Sequence, residues 1–393
     1  MFFSDLIASW KGLKKFGKLP GEQRRVVFYS EGASNLKFLR PIMEQLVSGY
    51  QLDICYVTSD RADPFLVQNL EQIRTFFISS ESALIIFFEG LEADILATTT
   101  PDLGTFHVKR SWHPVHYAYI QHSVVSSHMI YRTGAFDKYD SILCAGPHHI
   151  NETRQWEKLL GLKPKQLFEH GYAPLDAIHE VMPERYEPPG GIEDTRVIVA
   201  PSWGPDGLLE TVGEDVVGNL LDAGYRVTVR PHPRTRQLNP QKLETLNTRF
   251  AGNAAFSMED NVTGFDSYLA SDILISDWSG AALEFALGLE RPVLFIDLPR
   301  KINNPDYQRI EATPIEIFIR EQIGMIIDPE NIGQISAAVE TVIENYSGFI
   351  PAIREARGKW IFNFGESGKK GAEIIFALLE QVSGQSNSSD VSG

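Results

Sequence analysis

Cysteine is scarce. The 393 residues hold two, Cys55 and Cys144, each inside an apolar run. Two thiols cannot staple a chain of this length, so a disulfide framework is excluded and the usage fits a reducing compartment. Long hydrophobic runs are also missing, and none approaches the ~18 residues of a spanning helix. Positive charge is in deficit, with 36 Lys and Arg against 51 Asp and Glu and a formal charge of −15. That argues against a general nucleic-acid binder, which carries a basic footprint. Several motifs are absent as well. No Gly-x-Gly-x-x-Gly follows the first strand-like run, where Ser30-Glu-Gly-Ala-Ser-Asn35 stands instead, which disfavours a dinucleotide dehydrogenase. Phe364-Gly-Glu-Ser-Gly-Lys-Lys-Gly371 fails as a phosphate loop: Asn363 occupies the place of its first Gly, and no Ser or Thr follows the Lys. Eight of the ten histidines lie between His107 and His170, yet there is no His-Glu-x-x-His and no zinc-like spacing. No cofactor is called for, and a divalent metal is expected to be dispensable or loosely bound.

What is present reads as an ordinary globular protein, 43 % hydrophobic and 22 % charged. Its length suits two domains of roughly 150–200 residues each. Apolar, β-branched runs at 26–30, 53–58, 76–79, 95–99, 117–121, 141–145 and 167–169 predict strands, with helical periodicity between them, as at 35–47 and 151–160. The pattern restarts with strands at 196–201, 225–230, 273–276, 293–297 and 324–328 and helices at 210–223, 266–270, 281–287 and 332–344. Such alternation implies parallel sheets with helices on both faces. Pro and Gly crowd residues 183–191 and mark a boundary. The expected organisation is a basic amphipathic helix at 1–20, an α/β domain at 21–185, a second at 186–350, terminal helices at 351–382 that cross back, and a Ser/Gly/Asn-rich disordered tail at 383–393. Two doubly wound domains imply a ligand cleft between them, lined from the carboxyl ends of the strands.

The average charge hides a local patch. Residues 1–25 carry +4, which leaves −19 for the rest. Phe2, Phe3, Leu6, Ile7, Trp10, Leu13 and Phe16 recur at helical spacing, flanked by Lys11, Lys14, Lys15 and Lys18. A basic amphipathic helix of this kind suits an anionic membrane interface. The competing expectation is a helix packed on the protein's own body.

Four strand-end constellations carry polar residues. Tyr117-Ala-Tyr-Ile-Gln-His-Ser123 delivers His122, a candidate general base. Val227-Thr-Val-Arg-Pro-His-Pro233 delivers Arg230 and His232 on a proline-stiffened turn, a pair suited to phosphate. Ser271-Asp-Ile-Leu-Ile-Ser-Asp-Trp-Ser-Gly-Ala-Ala-Leu-Glu284 runs from a strand through Asp277 into a helix that begins at Ser279 and Gly280. Small residues at such a helix start expose N–H groups to an anion, and Glu284 is placed to reach a ribose hydroxyl. Ser279 is equally a plausible N-cap. Arg196-Val-Ile-Val-Ala-Pro-Ser-Trp-Gly204 brings Ser202 and Trp203 to the same edge, either as donor-binding residues or as a packed turn.

With these four in order, the chain resembles the CDP-glycerol glycerophosphotransferase family, the primases and polymerases of teichoic-acid-type polymers. The resemblance is carried by Ile120-Gln-His-Ser123, Glu169-His-Gly-Tyr-Ala-Pro-Leu-Asp176, Ala200-Pro-Ser-Trp203, Arg230-Pro-His-Pro233, the 268–279 run and the 364–374 stretch. It implies a GT-B architecture of two Rossmann-like domains, with the acceptor on the N-terminal side and the nucleotide-linked donor on the C-terminal side. It implies His122 and His232 as the essential histidines. Arg230, Ser202, Trp203, Asp277, Ser279, Gly280 and Glu284 are expected on the donor. Ser123, Gly204 and Gly280 depart from the Gly, Arg and Ser usual at their positions. The implied reaction moves glycerol or ribitol phosphate from a CDP-alditol to a hydroxyl of a lipid-linked or glycan acceptor and releases CMP. The implied place is the cytoplasmic face of a membrane, as a peripheral protein, in cell-wall or capsule polymer synthesis. Two other readings stay open: a GT-B glycosyltransferase using a nucleotide-sugar, and a non-catalytic protein that binds a nucleotide-linked metabolite.

Overall fold

A computed structural model describes residues 3–68, 70–182, 186–260 and 264–389. Seven strands form the first sheet: β1 (Val26–Ser30), β2 (Ile54–Thr58), β3 (Ile73–Phe77), β4 (Ile95–Thr98), β5 (His116–Ile120), β6 (Ser141–Cys144) and β7 (Gln166–Glu169). Six form the second: β8 (Arg196–Val199), β9 (Arg226–Val229), β10 (Phe256–Met258), β11 (Ile273–Ser276), β12 (Val293–Ile296) and β13 (Gly324–Ile327). Every pairing is parallel. In the orders β3-β2-β1-β4-β5-β6-β7 and β10-β9-β8-β11-β12-β13 the chain runs outward through three strands and then resumes on the other side of the first, the doubly wound topology of a Rossmann-like domain. The inner strands are buried along their whole length, which is why they read as continuous apolar runs rather than alternating ones.

Edge strands are where the observed elements depart from the expected ones. β3 lies three residues earlier than its apolar run suggests, because half-buried Arg74 and Thr75 interrupt the hydrophobic signal. β10, only three residues long and half exposed, gives no signal of its own. The helix expected over 210–223 is two, Leu208–Thr211 and Gly213–Asp222, broken at Val212.

One apolar cluster belongs to both domains. It joins Phe38, Val125, Tyr172 and Leu175 to Ile198, Leu274, Phe285 and Ile353. The helix Gly280–Leu289 packs there on the helix Ala173–Glu180, and a side chain at Gly288 would collide with Ile178. The last helix, Ser367–Ser389, returns to the first domain and lies on the helix Leu36–Tyr50. It continues into the Ser/Gly/Asn-rich stretch for which composition favours a loose tail, so 383–389 are helical, whereas 390–393 lie outside the described residues. Residues 183–185 of the Pro/Gly-rich boundary also lie outside them.

The N-terminal helix, Phe3–Gly17, is seated on the first domain. Its docking face is Asp5, Ser9, Gly12 and Phe16. Ser9 Oγ accepts from the Ser79 and Ser80 amides at 3.0 and 3.1 Å, a side chain at Gly12 would strike the Phe77 carbonyl, and Phe16 meets Phe76 and Phe87 edge-on. The expected single apolar face is therefore split. Phe16 is buried and Leu13 half-buried, while Leu6, Ile7 and Trp10 stay 36–42 % exposed beside the lysines. Phe2 lies outside the described residues. No helix among the described residues is long and apolar enough to cross a membrane.

Candidate active site

The two sheets point their carboxyl ends at a shared cleft of about 760 Å³, within the usual size of a small-molecule site. The first domain contributes Ser34, Lys37, Phe38, His122, Ser123, Tyr131 and Tyr172; the second contributes Arg230, His232, Arg236, Ser279, Gly280 and Glu284. The site thus unites His122, Arg230, His232, Ser279, Gly280 and Glu284, which are more than 100 residues apart at the extremes. Ser202, Trp203 and Asp277 are not among its walls.

His122 follows β5 and is held between two phenols: Tyr119 Oη lies 2.9 Å from Nδ1 and Tyr131 Oη 2.9 Å from Nε2. Burial, reinforced by the positive charge of Lys37, holds its pKa down to about 4, so the ring is neutral at physiological pH. His232 caps the helix Pro233–Leu238, its Nδ1 accepting from the Arg234 amide at 3.0 Å. An accepting Nδ1 fixes the proton on Nε2, so this imidazole offers the cleft a donor, not a base. Burial, with Lys301 and Arg234 adding to it, holds this pKa too at about 4.

The helix Gly280–Leu289 starts at the cleft wall. Ser279 Oγ accepts from the Ala281 amide at 3.2 Å, so its hydroxyl works as the N-cap. Two roles read from sequence, cap and anion cradle, therefore meet at one helix end. A side chain at Gly280 would point at Val125 and Ser123 across the cleft. Glu284 Oε1 accepts from Tyr172 Oη at 2.6 Å, a bond between the domains.

Arg230 does not present a loose charge. Its Nη1 donates to Glu259 at 2.7 Å and Ser267 at 3.0 Å, Nη2 donates to the Gly264 carbonyl, and the guanidinium stacks on Tyr268. Glu259 pairs with its charge, and the remaining bonds tie it to Ser267 and the Gly264 carbonyl beside the cleft. Asp277 is 1 % exposed and accepts four hydrogen bonds, from the Ser202 amide and hydroxyl and the Leu208 and Trp278 amides. The carboxylate and Ser202 are thus a clamp between the loops after β8 and β11. Trp203 stands behind His232, ring centroids 6.2 Å apart, with the Arg234 guanidinium at 4.5 Å and the Lys301 ammonium at 3.9 Å from its ring.

Lys37, Tyr172 and Tyr131 are among the cleft residues to which the motif reading gives no role. Lys37 lies on the first turn of the helix after β1, and the strand-end logic applied elsewhere would have pointed to it. Tyr172 sits inside the Glu169–Asp176 motif without a chemical role of its own. Tyr131 has no local signal. Among the described residues no group of three His, Cys, Asp or Glu side chains converges to hold a metal.

The resemblance read from the motifs is matched by a family description. Residues 116–300 fit CDP-Glycerol:Poly(glycerophosphate) glycerophosphotransferase. No curated protein sequence matches the chain. Among solved structures, the wall teichoic acid polymerase TagF superposes with a TM-score of 0.55 at 13 % identity, covering 98 % of this chain and 99 % of that one. A UDP-N-acetylglucosamine 2-epimerase gives 0.57 at 13 % identity over 90 % and 95 %. The UDP-GlcNAc 2-epimerase of Methanocaldococcus jannaschii, solved with UDP-GlcNAc and UDP, gives 0.52 at 13 % over 90 % and 99 %. These likenesses establish the GT-B-like fold of two Rossmann-like domains.

Proposed function

We propose that the chain transfers glycerol phosphate, or a related alditol phosphate, from a CDP-linked donor to a hydroxyl of a lipid-linked or glycan acceptor, with release of CMP. The observation that carries this reading is the convergence of His122, His232 and the start of the Gly280–Leu289 helix on one cleft between the domains, within the region that matches the glycerophosphotransferase family.

Phosphoryl transfer needs positioning and charge stabilisation more than covalent chemistry. The donor diphosphate lies at the Ser279–Gly280 helix end, where N–H groups and the helix dipole favour negative charge. The His232 Nε2–H donates to a phosphate oxygen. Glu284 keeps Oε2 for a ribose hydroxyl while Tyr172 holds Oε1. The acceptor approaches from the first domain, where Lys37 supplies positive charge and His122 takes up the proton. Leu6, Ile7 and Trp10, exposed beside a lysine row, suit contact with an anionic membrane that carries the acceptor, at its cytoplasmic face.

Incubation with CDP-glycerol, CDP-ribitol and UDP-sugars on a lipid-linked disaccharide, read by mass spectrometry, tests the reading. Addition of an alditol phosphate with CMP release is expected. His232→Ala should lower kcat by ~10²–10⁴. Transfer of a sugar instead would favour the glycosyltransferase reading, and near-normal turnover in His232→Ala would refute the role of the cleft.

A further inference from the structure

His122 has a difficulty as a lone base. A neutral imidazole has one N–H and one lone pair, and both ring nitrogens here are occupied by phenols. The two phenols are not equivalent. Tyr119 is fully buried behind the ring, whereas Tyr131 lines the cleft. In the tautomer whose Nδ1–H is donated to Tyr119, the imidazole lone pair on Nε2 faces Tyr131, and the route to it from the cleft passes through the Tyr131 hydroxyl.

We propose that Tyr131, rather than His122, meets the acceptor hydroxyl and relays its proton to His122. The inference rests on the transferase reading above. As the acceptor oxygen forms its bond to the β-phosphorus of the donor, its proton passes to Tyr131 Oη. The proton already on Tyr131 Oη passes to His122 Nε2. The phosphorus–oxygen bond to the leaving group breaks, and its electron pair goes to the CMP phosphate. Tyr131 ends the step as a neutral phenol and His122 as an imidazolium, with Nδ1–H donated to Tyr119 Oη. The phenol never exists as a free phenolate, which burial disfavours strongly.

The placement of Tyr131 is fixed from the opposite domain. The segment before it is bonded along its length to residues 303–316. The Ser126 amide donates to Glu316 at 3.0 Å, and the Ile315 amide donates to Ser126 Oγ at 2.8 Å. Asn304 Nδ2 donates to the His128 carbonyl at 2.9 Å, and the Asn303 and Asn304 amides both donate to the Met129 carbonyl at 3.1 Å. Tyr131 then closes the short helix through its amide to Ser127, and Phe136 packs edge-on against its ring. The position of the Tyr131 end of the relay therefore depends on bonds made by the second domain.

Tyr131→Phe, His122→Ala and the double variant test the relay, with folding checked by near-UV circular dichroism. With CDP-glycerol, Tyr131→Phe should lower kcat at least ~100-fold with KM for the donor within about threefold. The double variant should be no slower than His122→Ala, because the two groups act as one unit. A Tyr131→Phe variant within about threefold of the wild-type kcat overturns the relay. A wild-type chain that turns over no CDP-alditol instead defeats the donor reading. The relay is then judged on the ¹⁵N-histidine spectrum: the His122 Nε2 resonance must move in Tyr131→Phe, and an unmoved resonance overturns it.

Discussion

Replacing Asp277 by Asn separates a clamp from a ligand contact. The carboxylate accepts the Ser202 and Trp278 amides on Oδ1 and the Ser202 hydroxyl and Leu208 amide on Oδ2. In Asp277→Asn the amide oxygen can keep the Oδ1 pair. The new NH2 then faces two donors. The Ser202 hydroxyl can turn and accept, but the Leu208 N–H cannot, and a buried donor left unpaired costs about 1–3 kcal/mol. Loss of the charge weakens the retained bonds by roughly 1 kcal/mol each. The expected destabilisation is therefore about 3–5 kcal/mol, a large part of a domain's stability. Urea unfolding followed by tryptophan fluorescence, to which Trp203 and Trp278 beside the clamp contribute, should show a lower midpoint with an unchanged slope. CMP affinity of the folded fraction should stay within about threefold. A loss below about 1 kcal/mol together with a tenfold weaker CMP affinity would show that Asp277 touches the nucleotide and that the clamp reasoning is wrong.

Two further outcomes follow from the same geometry. The folded pKa of His232, about 4, lies below the ordinary 6.5, so the unfolded chain binds its proton first. The stability it preserves is complete above about pH 6.5 and is lost as pH falls toward 4. His232→Asn keeps an N-cap acceptor for Arg234 but cannot titrate, so the wild type should lose about 2 kcal/mol more than the variant between pH 7.5 and 5; parallel urea-midpoint curves would refute this. Leu6→Ser, Ile7→Asn and Trp10→Ser together spare the docking face of the N-terminal helix and should abolish co-sedimentation with anionic vesicles without lowering the melting temperature; unchanged co-sedimentation would refute membrane contact through this strip.

Inner strands and their order along the chain were legible because a strand buried on both faces is an unbroken apolar run, a signal contained within four or five residues. β10 and the start of β3 were not, since an edge strand is half solvated and its composition approaches that of a loop. The N-terminal helix shows the limit of periodicity. Spacing grouped its apolar residues on one face, yet the face that docks is centred on Ser9 and Gly12, whose value lies in a hydrogen bond and a close approach to Phe77. Neither is a hydrophobic signal.

The sequence by itself determined that polar residues follow the strands at His122, Arg230, His232 and Ser279, and that the body is acidic with a basic N-terminus. What surrounds each of those residues was decided only by tertiary structure. Arg230 is paired with Glu259, 29 residues away, and Asp277 is bonded to a loop 75 residues before it. His122 is enclosed by Tyr131, held in place by a segment more than 170 residues further along. A side chain's chemistry depends on what occupies its hydrogen-bonding sites and displaces its water. Those partners come from distant parts of the chain, where local pattern has no reach.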